Sequence, residues 1–372
     1  MSPPAAPKAV LVHDWLTGMR GGEKVLEQIA CEFPAAPIYT LLHIVGSVSP
    51  ELEAHPIRTS FLQRLPLAKT RYRHYLPLFP RAIEALELPD CDLVVSTSHA
   101  VAKGVRKPAG SVHVCYCHTP MRYAWDQEEA YFPDQRGPIA ALRRAVLARL
   151  RRWDVETADR VDHYLANSSF VAQRIERYYQ RSATVIHPPV DTEYFTPDST
   201  VERESFCLYV SALAPYKRIE VAVDACRRLG LELRVVGSGP ERDRLEQVAA
   251  RDSVPVRFLG RISAETLRDL YRRAACFVQP GVEDFGISAV EALACGCPVV
   301  ALDQGGVRDI VESGRHGLLY SGDGNAEGLA EAIDKLRDMR FNLLNLRDRA
   351  ESFSIVRFRQ QLTTFLAETY TS

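Results

Sequence analysis

Residues 276–302 read CFVQPGVEDFGISAVEALACGCPVVAL. An apolar run of strand length at 276–279 leads into a loop opening on Pro280-Gly281. A helix-period segment follows at 286–295, and a second apolar run at 298–302. Short Val-rich runs bounded by Gly and Pro read as strands covered on both faces, and strand–helix–strand alternation requires a parallel sheet. Working outward, the same rhythm predicts strands at 206–211 (FCLYVS), 232–236 (ELRVV) and 256–259 (VRFL), with helices at 240–250 and 263–274. In the first half it predicts strands at 9–13 (AVLVH), 91–97 (CDLVVST) and 112–117 (VHVCYC), and a helix at 22–33. The rhythm breaks at 188–204 (PPVDTEYFTPDSTVERE), which is rich in Pro and polar residues. The fold class is therefore α/β, with two doubly wound units: 1–187, and 188–353 including the linker. Residues 354–370 place Ile355, Phe358, Leu362, Phe365 and Leu366 on one helical face, and this segment either finishes the second domain or crosses back, so that 354–372 joins the first.

The chain of 372 residues carries 46% hydrophobic and 25% charged residues with a formal net charge of -1, the balance of a globular protein with no general attraction for nucleic acid. The charge is uneven: 23 Lys and Arg face 19 Asp and Glu in 1–187, against 23 and 28 in 188–372. Nine cysteines without metal or scaffold spacing fit a reducing compartment. The opening MSPPAAPKAVLV lacks a charged segment followed by an apolar run, so no signal peptide is expected. Residues 33–50 are uncharged but broken by Pro34, Pro37 and His43, and no transmembrane helix is expected. The expected location is cytoplasmic, with peripheral attachment to the inner face of the cell membrane as an option.

Chemistry concentrates at Glu283-Asp284-Phe285-Gly286-Ile287-Ser288-Ala289-Val290-Glu291. The two outer carboxylates straddle a helix N-terminus, where free backbone N–H groups suit hydroxyls and phosphates. Simple first-turn acids that favour that end of a helix explain Glu283 and Asp284 equally well. Lys217 opens a helix, where a cation is unfavourable without a bound anion. Gly21-Gly22 marks a strand–loop–helix junction in which backbone can approach a ligand, and a plain turn fits it as well. Neither that pair nor Gly237-Ser238-Gly239-Pro240 is the G-x-G-x-x-G dinucleotide fingerprint. His118 follows the strand VHVCYC at its C-terminal end, where ligands bind in open sheets, though a packed histidine would also sit there. Cys115-x-Cys117-His118 has unsuitable zinc spacing, and Asp90-Cys91-Asp92 reads as a turn, so no metal site is assigned.

Glu283 to Glu291, continuing as ALACGCPVVA, resembles the E-x7-E signature of glycosyltransferase family 4. SALAPYKR (211–218), VVGSGPERDRL (235–245), VRFLGRIS (256–263) and GGVRDIVESGRHGLLY (305–320) resemble the blocks around it. GMRGGEKVLE (18–27), YCHTPMRYAWD (116–126) and ANSSFVAQRI (166–175) resemble a mannosyltransferase-like subset of that family. The resemblance implies the GT-B fold: two Rossmann-like domains facing a cleft, with the C-terminal helix crossing back to the N-terminal domain. It implies a donor-binding set of Gly21, Gly22, Lys217, Arg218, Arg261, Glu283, Phe285, Gly286, Ile287 and Glu291, and catalytic roles for His118, Lys217 and Glu283. Glu291 would accept the ribose hydroxyls. Glu283 and the N–H groups of 285–287 would hold the donor sugar, and Lys217 would stabilise the departing diphosphate. Ser211 and Ala212 depart from the family's Gly and Arg, leaving one expected phosphate cation missing, and Arg218 is its available substitute.

The expected activity is retaining transfer of a hexose, with GDP-mannose the preferred donor from the EDFGI form of the loop. The acceptor is a glycan or lipid-linked saccharide, with no metal or other cofactor, and the departing phosphate is available as base. Two rivals stand beside it: a catalytically degenerate nucleotide-sugar-binding protein, and a nucleotide-cofactor oxidoreductase, against which the missing fingerprint counts. Residues 58–83 and 136–152 each hold six Lys or Arg and no acid. In the second, Ile139, Leu142, Val146, Leu150 and Trp153 form a stripe that either meets an anionic membrane or packs into the core.

Overall fold

The computed structural model describes residues 7–131, 137–251, 255–321 and 323–371. The opening hexapeptide and Arg136 of the second basic stretch lie outside the described residues. The chain divides into two compact units, Met1–Pro188 with Arg359–Ser372, and Pro189–Phe358.

The first unit is built on seven strands: β1 (Ala9–His13), β2 (Ile38–Thr40), β3 (Ile57–Thr59), β4 (Leu93–Ser98), β5 (Val112–Cys117), β6 (His163–Ala166) and β7 (Ala183–Val185). They lie in the order β3-β2-β1-β4-β5-β6-β7, every neighbour parallel. Every residue of β1 and β4 is buried, which is why these strands read as unbroken apolar runs. β4 starts at Leu93 rather than at Cys91, because the Asp92 carboxylate accepts the Lys8 backbone N–H at 2.8 Å and fixes the turn into the sheet. The second unit carries β8 (Cys207–Val210), β9 (Leu233–Val236), β10 (Val256–Gly260), β11 (Cys276–Gln279), β12 (Val299–Leu302) and β13 (Gly317–Tyr320). Their order is β10-β9-β8-β11-β12-β13, again all parallel. Each unit is thus Rossmann-like, and its strand order reverses beside its first strand, at β1/β4 and at β8/β11. Ligands of open parallel sheets bind outside the carboxyl ends of the strands at that reversal.

The final helix, Ile355–Thr371, buries Phe358, Leu362 and Leu366. From Arg359 onward the chain groups with the first unit, where Arg359 Nε lies 2.5 Å from Glu32 Oε1 and Phe365 stands edge-on to His163. The helix Gly137–Glu156 does not present the single stripe that its sequence suggests. Leu150 is buried and Val146 and Trp153 are half-buried, but Ile139 and Leu142 are 79% and 68% exposed. The inward face is instead set by Ala140, Leu147, Leu150 and Asp154, a turn-spaced row displaced around the helix.

Asp154 anchors that helix. Its buried carboxylate pairs with the buried Lys103 (Nζ to Oδ1, 3.0 Å) and accepts Trp125 Nε1 at 2.8 Å and the Tyr179 hydroxyl at 3.0 Å. Lys103 also donates to the Asp154 carbonyl at 2.6 Å and to Thr157 Oγ1 at 3.1 Å, and lies 4.5 Å from the Tyr179 ring centroid. Every charge here has several partners, and losing one side strands the other in a low-dielectric interior. Asp154→Ala is therefore expected to destabilise the first unit by about 3–5 kcal/mol. Urea unfolding followed by tryptophan fluorescence checks this, and a loss below about 1 kcal/mol, the level of an exposed ion pair, would contradict it.

Candidate active site

In the second unit the loop after β8 is held by close backbone packing. Ser211 N–H donates to the Val236 carbonyl at 3.1 Å, and Leu213 N–H to the Ser238 carbonyl at 3.1 Å. A Cβ at Gly237 would fall 1.9 Å from the Ser211 carbonyl oxygen, and one at Gly239 2.2 Å from that of Leu213. These glycines therefore let two strand ends lie against each other. The chain then makes a 3-10 turn, Pro215–Lys217, closed by Arg218 in the left-handed region at φ 54°. That conformation is costly for a residue with a side chain and is found most often at functional sites. It buries Lys217, whose ammonium pairs with the Glu283 carboxylate.

Glu283 is placed by the loop 281–286 after β11. Gly305 and Gly306, after β12, lie flat against it. Gly306 N–H donates to the Glu283 carbonyl at 2.9 Å, and a Cβ at Gly306 would sit 2.2 Å from the Asp284 carbonyl oxygen. Gly286, at φ 114°, starts the helix Ile287–Ala294, and a Cβ there would meet Gln279 Oε1 at 3.0 Å. The first-turn N–H groups at Gly286 and Ile287 have no acceptor within the helix and carry the positive end of its dipole. Phe285 is buried and stands 5.4 Å from the Phe353 ring centroid. One turn into the helix, Glu291 is 5% exposed and accepts the Tyr271 hydroxyl at 3.1 Å. Burial and the neighbouring Glu291 push Tyr271 far above its ordinary range, so its hydroxyl keeps its proton as the donor.

The structure thus brings Lys217, Glu283, Gly286, Ile287 and Glu291 to one strand-end region. Arg218 turns elsewhere and donates to the Asp323 carbonyl at 3.3 Å. Arg261 leaves β10 and donates to Ser238 Oγ at 3.2 Å, beside the 237–239 turn. Ala212 is exposed, with no side-chain cation in its place.

In the first unit, Gly21 and Gly22 open the helix Gly21–Glu32, whose entry is tied by Arg20 N–H donating to Glu23 Oε2 at 3.1 Å. A Cβ at Gly22 would lie 3.5 Å from His118 Nε2 and 3.7 Å from His13 Cε1. His118 Nε2 and His13 Nε2 are both buried and have no hydrogen-bond partner. Burial and the neighbouring His99 and His13 push His118 well below its ordinary pKa, so the ring is neutral at pH 7. His13 Nδ1 lies 2.6 Å from Thr97 Oγ1, and its Nε2 lies 3.9 Å from Glu23 Oε1. Burial alone would raise Glu23, but the adjacent His13 ring outweighs it and holds the carboxyl below its ordinary range.

The sequence reading missed His13, Asp14, Glu23 and His99, which line this region with His118. The signal was present: HD closes β1, SH closes β4, and both strands border the order reversal. Among the described residues no group of three His, Cys, Asp or Glu is arranged to hold a metal ion. Cys115 and Cys117 are fully buried free thiols of β5 and part of the sheet core, whereas His118 follows the strand and is half-buried.

Residues 19–194 match Glycosyltransferase Family 4, and residues 190–353 match the glycosyl transferases group 1 family. A D-inositol 3-phosphate glycosyltransferase of Geodermatophilus obscurus is 34% identical over 190 residues, 43% of this chain and 42% of that protein. An uncharacterized glycosyltransferase of Methanocaldococcus jannaschii is 28% identical over 177 residues, 47% of this chain and 49% of that protein. The chain spans about half the length of the curated relatives it matches. Among solved structures, Anabaena Alr3699/HepE in complex with UDP and glucose superposes with a TM-score of 0.69 at 20% identity, over 97% of this chain and 100% of that one. Sucrose-phosphate synthase from Thermosynechococcus elongatus superposes with a TM-score of 0.74 at 19% identity, over 98% and 99%. With both halves matched in order and two Rossmann-like units in the fold, the chain belongs to the GT-B glycosyltransferases of family 4.

Proposed function

We propose that this protein transfers a hexose from a nucleoside-diphosphate sugar to a glycan or lipid-linked saccharide, with retention of configuration and without a metal ion. The observation that carries the reading is the half-buried Lys217–Glu283 pair beside the N-terminus of Ile287–Ala294. A cation and a carboxylate held together at a helix N-terminus suit a ligand that is both anionic and hydroxylated. On donor binding the ammonium exchanges Glu283 for the diphosphate, and the freed carboxylate accepts sugar hydroxyls. Glu291, which accepts the Tyr271 hydroxyl, also accepts a ribose hydroxyl. Arg261 and Ser238 extend the donor site toward the nucleobase, and within the first unit Gly21, Gly22 and His118 form a group suited by itself to sugar hydroxyls. Arg218, committed to the 323 carbonyl, supports the turn that presents Lys217.

GDP-mannose remains the preferred donor, on the EDFGI form of the loop. A thermal-shift panel of GDP-mannose, UDP-glucose and other nucleotide sugars in EDTA tests donor and metal independence together. A ligand at 100 times its Kd stabilises the fold by about 2.7 kcal/mol. A shift for no nucleotide sugar, or one appearing only with magnesium or manganese, would overturn the reading.

Charge on the leaving diphosphate grows in the transition state, and there the lysine counts most. Lys217→Ala is expected to lower kcat by about 10²–10³-fold and donor affinity by less, measured at saturating acceptor. An affinity loss with kcat intact would contradict leaving-group stabilisation.

We also infer attachment to an anionic bilayer through the first unit. All six basic residues of 58–83 are exposed, together with Phe61 (38%), Leu67 (63%) and Leu78 (39%). Leu67 adopts φ 53°, an unusual cost for an apolar side chain presented to solvent. Arg144, Arg149 and Arg152 are exposed on the helix that displays Ile139 and Leu142, and Trp153 of that helix donates to Glu84 at 2.9 Å, next to 58–83. Among the described residues no helix is long and apolar enough to cross a membrane. Each Lys or Arg near such a surface contributes about 1 kcal/mol. Vesicles containing phosphatidylserine should therefore co-sediment the protein at low salt and release it at high salt. Changing Lys69, Arg71, Arg144, Arg149 and Arg152 to Gln should abolish this. Wild-type protein left in the supernatant at low salt would contradict the attachment.

A further inference from the structure

β11 is buried at every position, and its first three residues, Cys276, Phe277 and Val278, are apolar. The fourth, Gln279, closes the strand with an amide and is 6% exposed. Side chains alternate along a strand, so Gln279 and Phe277 share one face of the sheet. On that face the Phe277 ring centroid lies 6.1 Å from that of Tyr271, which donates to Glu291 at 3.1 Å. Gln279 therefore stands on the Glu291 side of β11, at the carboxyl end of a strand that borders the β8/β11 reversal.

Among the described residues nothing engages the amide nitrogen: Gln279 Nε2 is buried and has no hydrogen-bond partner. Across the loop lies Gly286, which starts the helix Ile287–Ala294. A Cβ there would sit 3.0 Å from Gln279 Oε1, 3.6 Å from its Nε2 and 3.5 Å from Ile310 Cδ1. Gly286 takes φ 114°, which favours glycine, and its missing side chain leaves the amide against the backbone that opens the helix. An amide taken out of water without a partner is a net cost that an apolar residue of the same size avoids. This amide stands where the helix offers its own unpaired N–H groups, so protein and helix together present unfilled hydrogen-bonding capacity at one point.

We propose that Gln279 is a contact for the donor sugar, its amide hydrogen-bonding a hydroxyl of the hexose held at the N-terminus of Ile287–Ala294. The proposal rests on the glycosyl-transfer reading and adds to it a residue outside the E-x7-E segment. An amide both donates and accepts, as a hydroxyl does, whereas the oxygens of a diphosphate only accept and are matched by the Lys217 charge. Gln279 therefore acts on which hexose is held, and the nucleoside diphosphate is bound without it. A sugar with a hydroxyl at this point fills the amide, and one without it leaves the amide buried and unpaired, so the cost present in the free protein becomes discrimination between donors.

The test is calorimetric titration of full-length wild type, Gln279→Met and Gln279→Leu with GDP, UDP, GDP-mannose and UDP-glucose, together with thermal unfolding of each protein without ligand. Methionine keeps the unbranched shape and removes both polar ends of the amide, and leucine controls for the fit of the replacement. Without ligand, at least one variant should melt at or above the wild-type temperature, because an unpaired buried group is gone. In that variant the sugar nucleotide that wild type binds should lose about 3–10-fold in affinity, the worth of one neutral hydrogen bond. GDP and UDP should stay within about twofold of wild type. A lowered melting temperature in both variants would place the amide's partner within the protein and overturn the assignment. Unchanged affinity for the sugar nucleotide, or an equal loss for the nucleoside diphosphate, would overturn it too while leaving the transferase reading in place. Failure of wild type to bind any of the four ligands would instead overturn that reading.

Discussion

The Lys217–Glu283 pair exists only because no side chain intervenes between three strand-end loops. Gly281 lies under the backbone of Lys217, where a Cβ would sit 2.8 Å from its carbonyl oxygen. Gly305 and Gly306 press against 283–285 at distances no Cβ could share. A carboxylate and an ammonium brought this close while half withdrawn from water are stable only if backbone fixes both, because desolvation otherwise exceeds their attraction. The glycines supply that fixity, and Arg218 in the left-handed region completes the turn. The same rigidity suits binding: the backbone that presents both charges stays in place while the ammonium exchanges the carboxylate for an arriving anion.

The first unit applies the same principle with a different element. There a single carboxylate, Asp14, gathers the amides of a whole turn and so fixes where β4 ends relative to β1. Around it stand His13, Glu23, His99 and His118, contributed by the ends of β1, β4 and β5 and by the helix after β1. Trp15 links this group to the basic edge of the unit, with ring centroids 5.2 Å from Tyr72 and 5.9 Å from Phe79. The exposed arginines of 58–83 and the histidine cluster therefore share one packed wall.

Much of this fold is legible in the sequence because parallel strands covered on both faces must be continuously apolar. That constraint exposed β1, β4, β5 and β8 through β12. It could not expose β2, β3 or β7, each three residues long and sharing its pattern with ordinary loop. β13 hides in GRHGLLY because its first residue is a glycine whose Cβ would strike Val299. The stripe on Gly137–Glu156 misled for a related reason: apolar spacing identifies a helix but not which face meets the core, and buried Asp154 with Lys103 selects a different one. In the site, Lys217, Glu283 and Glu291 are near enough in sequence to shared motifs to be recognised. Asp14 and His99 are 85 residues apart, each ordinary alone, and only the pairing of β1 with β4 joins them.

The central claim is that the second unit binds a nucleoside diphosphate whose ribose is held by the Glu291 carboxylate. Calorimetric titration of GDP and UDP into wild type and Glu291→Gln tests it most directly. The variant keeps the shape and the contact with Tyr271 but loses the charge-assisted acceptor. The account predicts micromolar-class binding by the wild type to at least one nucleotide and a loss of about 1.5–3 kcal/mol in the variant. An unchanged Kd would remove Glu291 from the ribose and, with it, the reading of the 283–291 segment as the donor site.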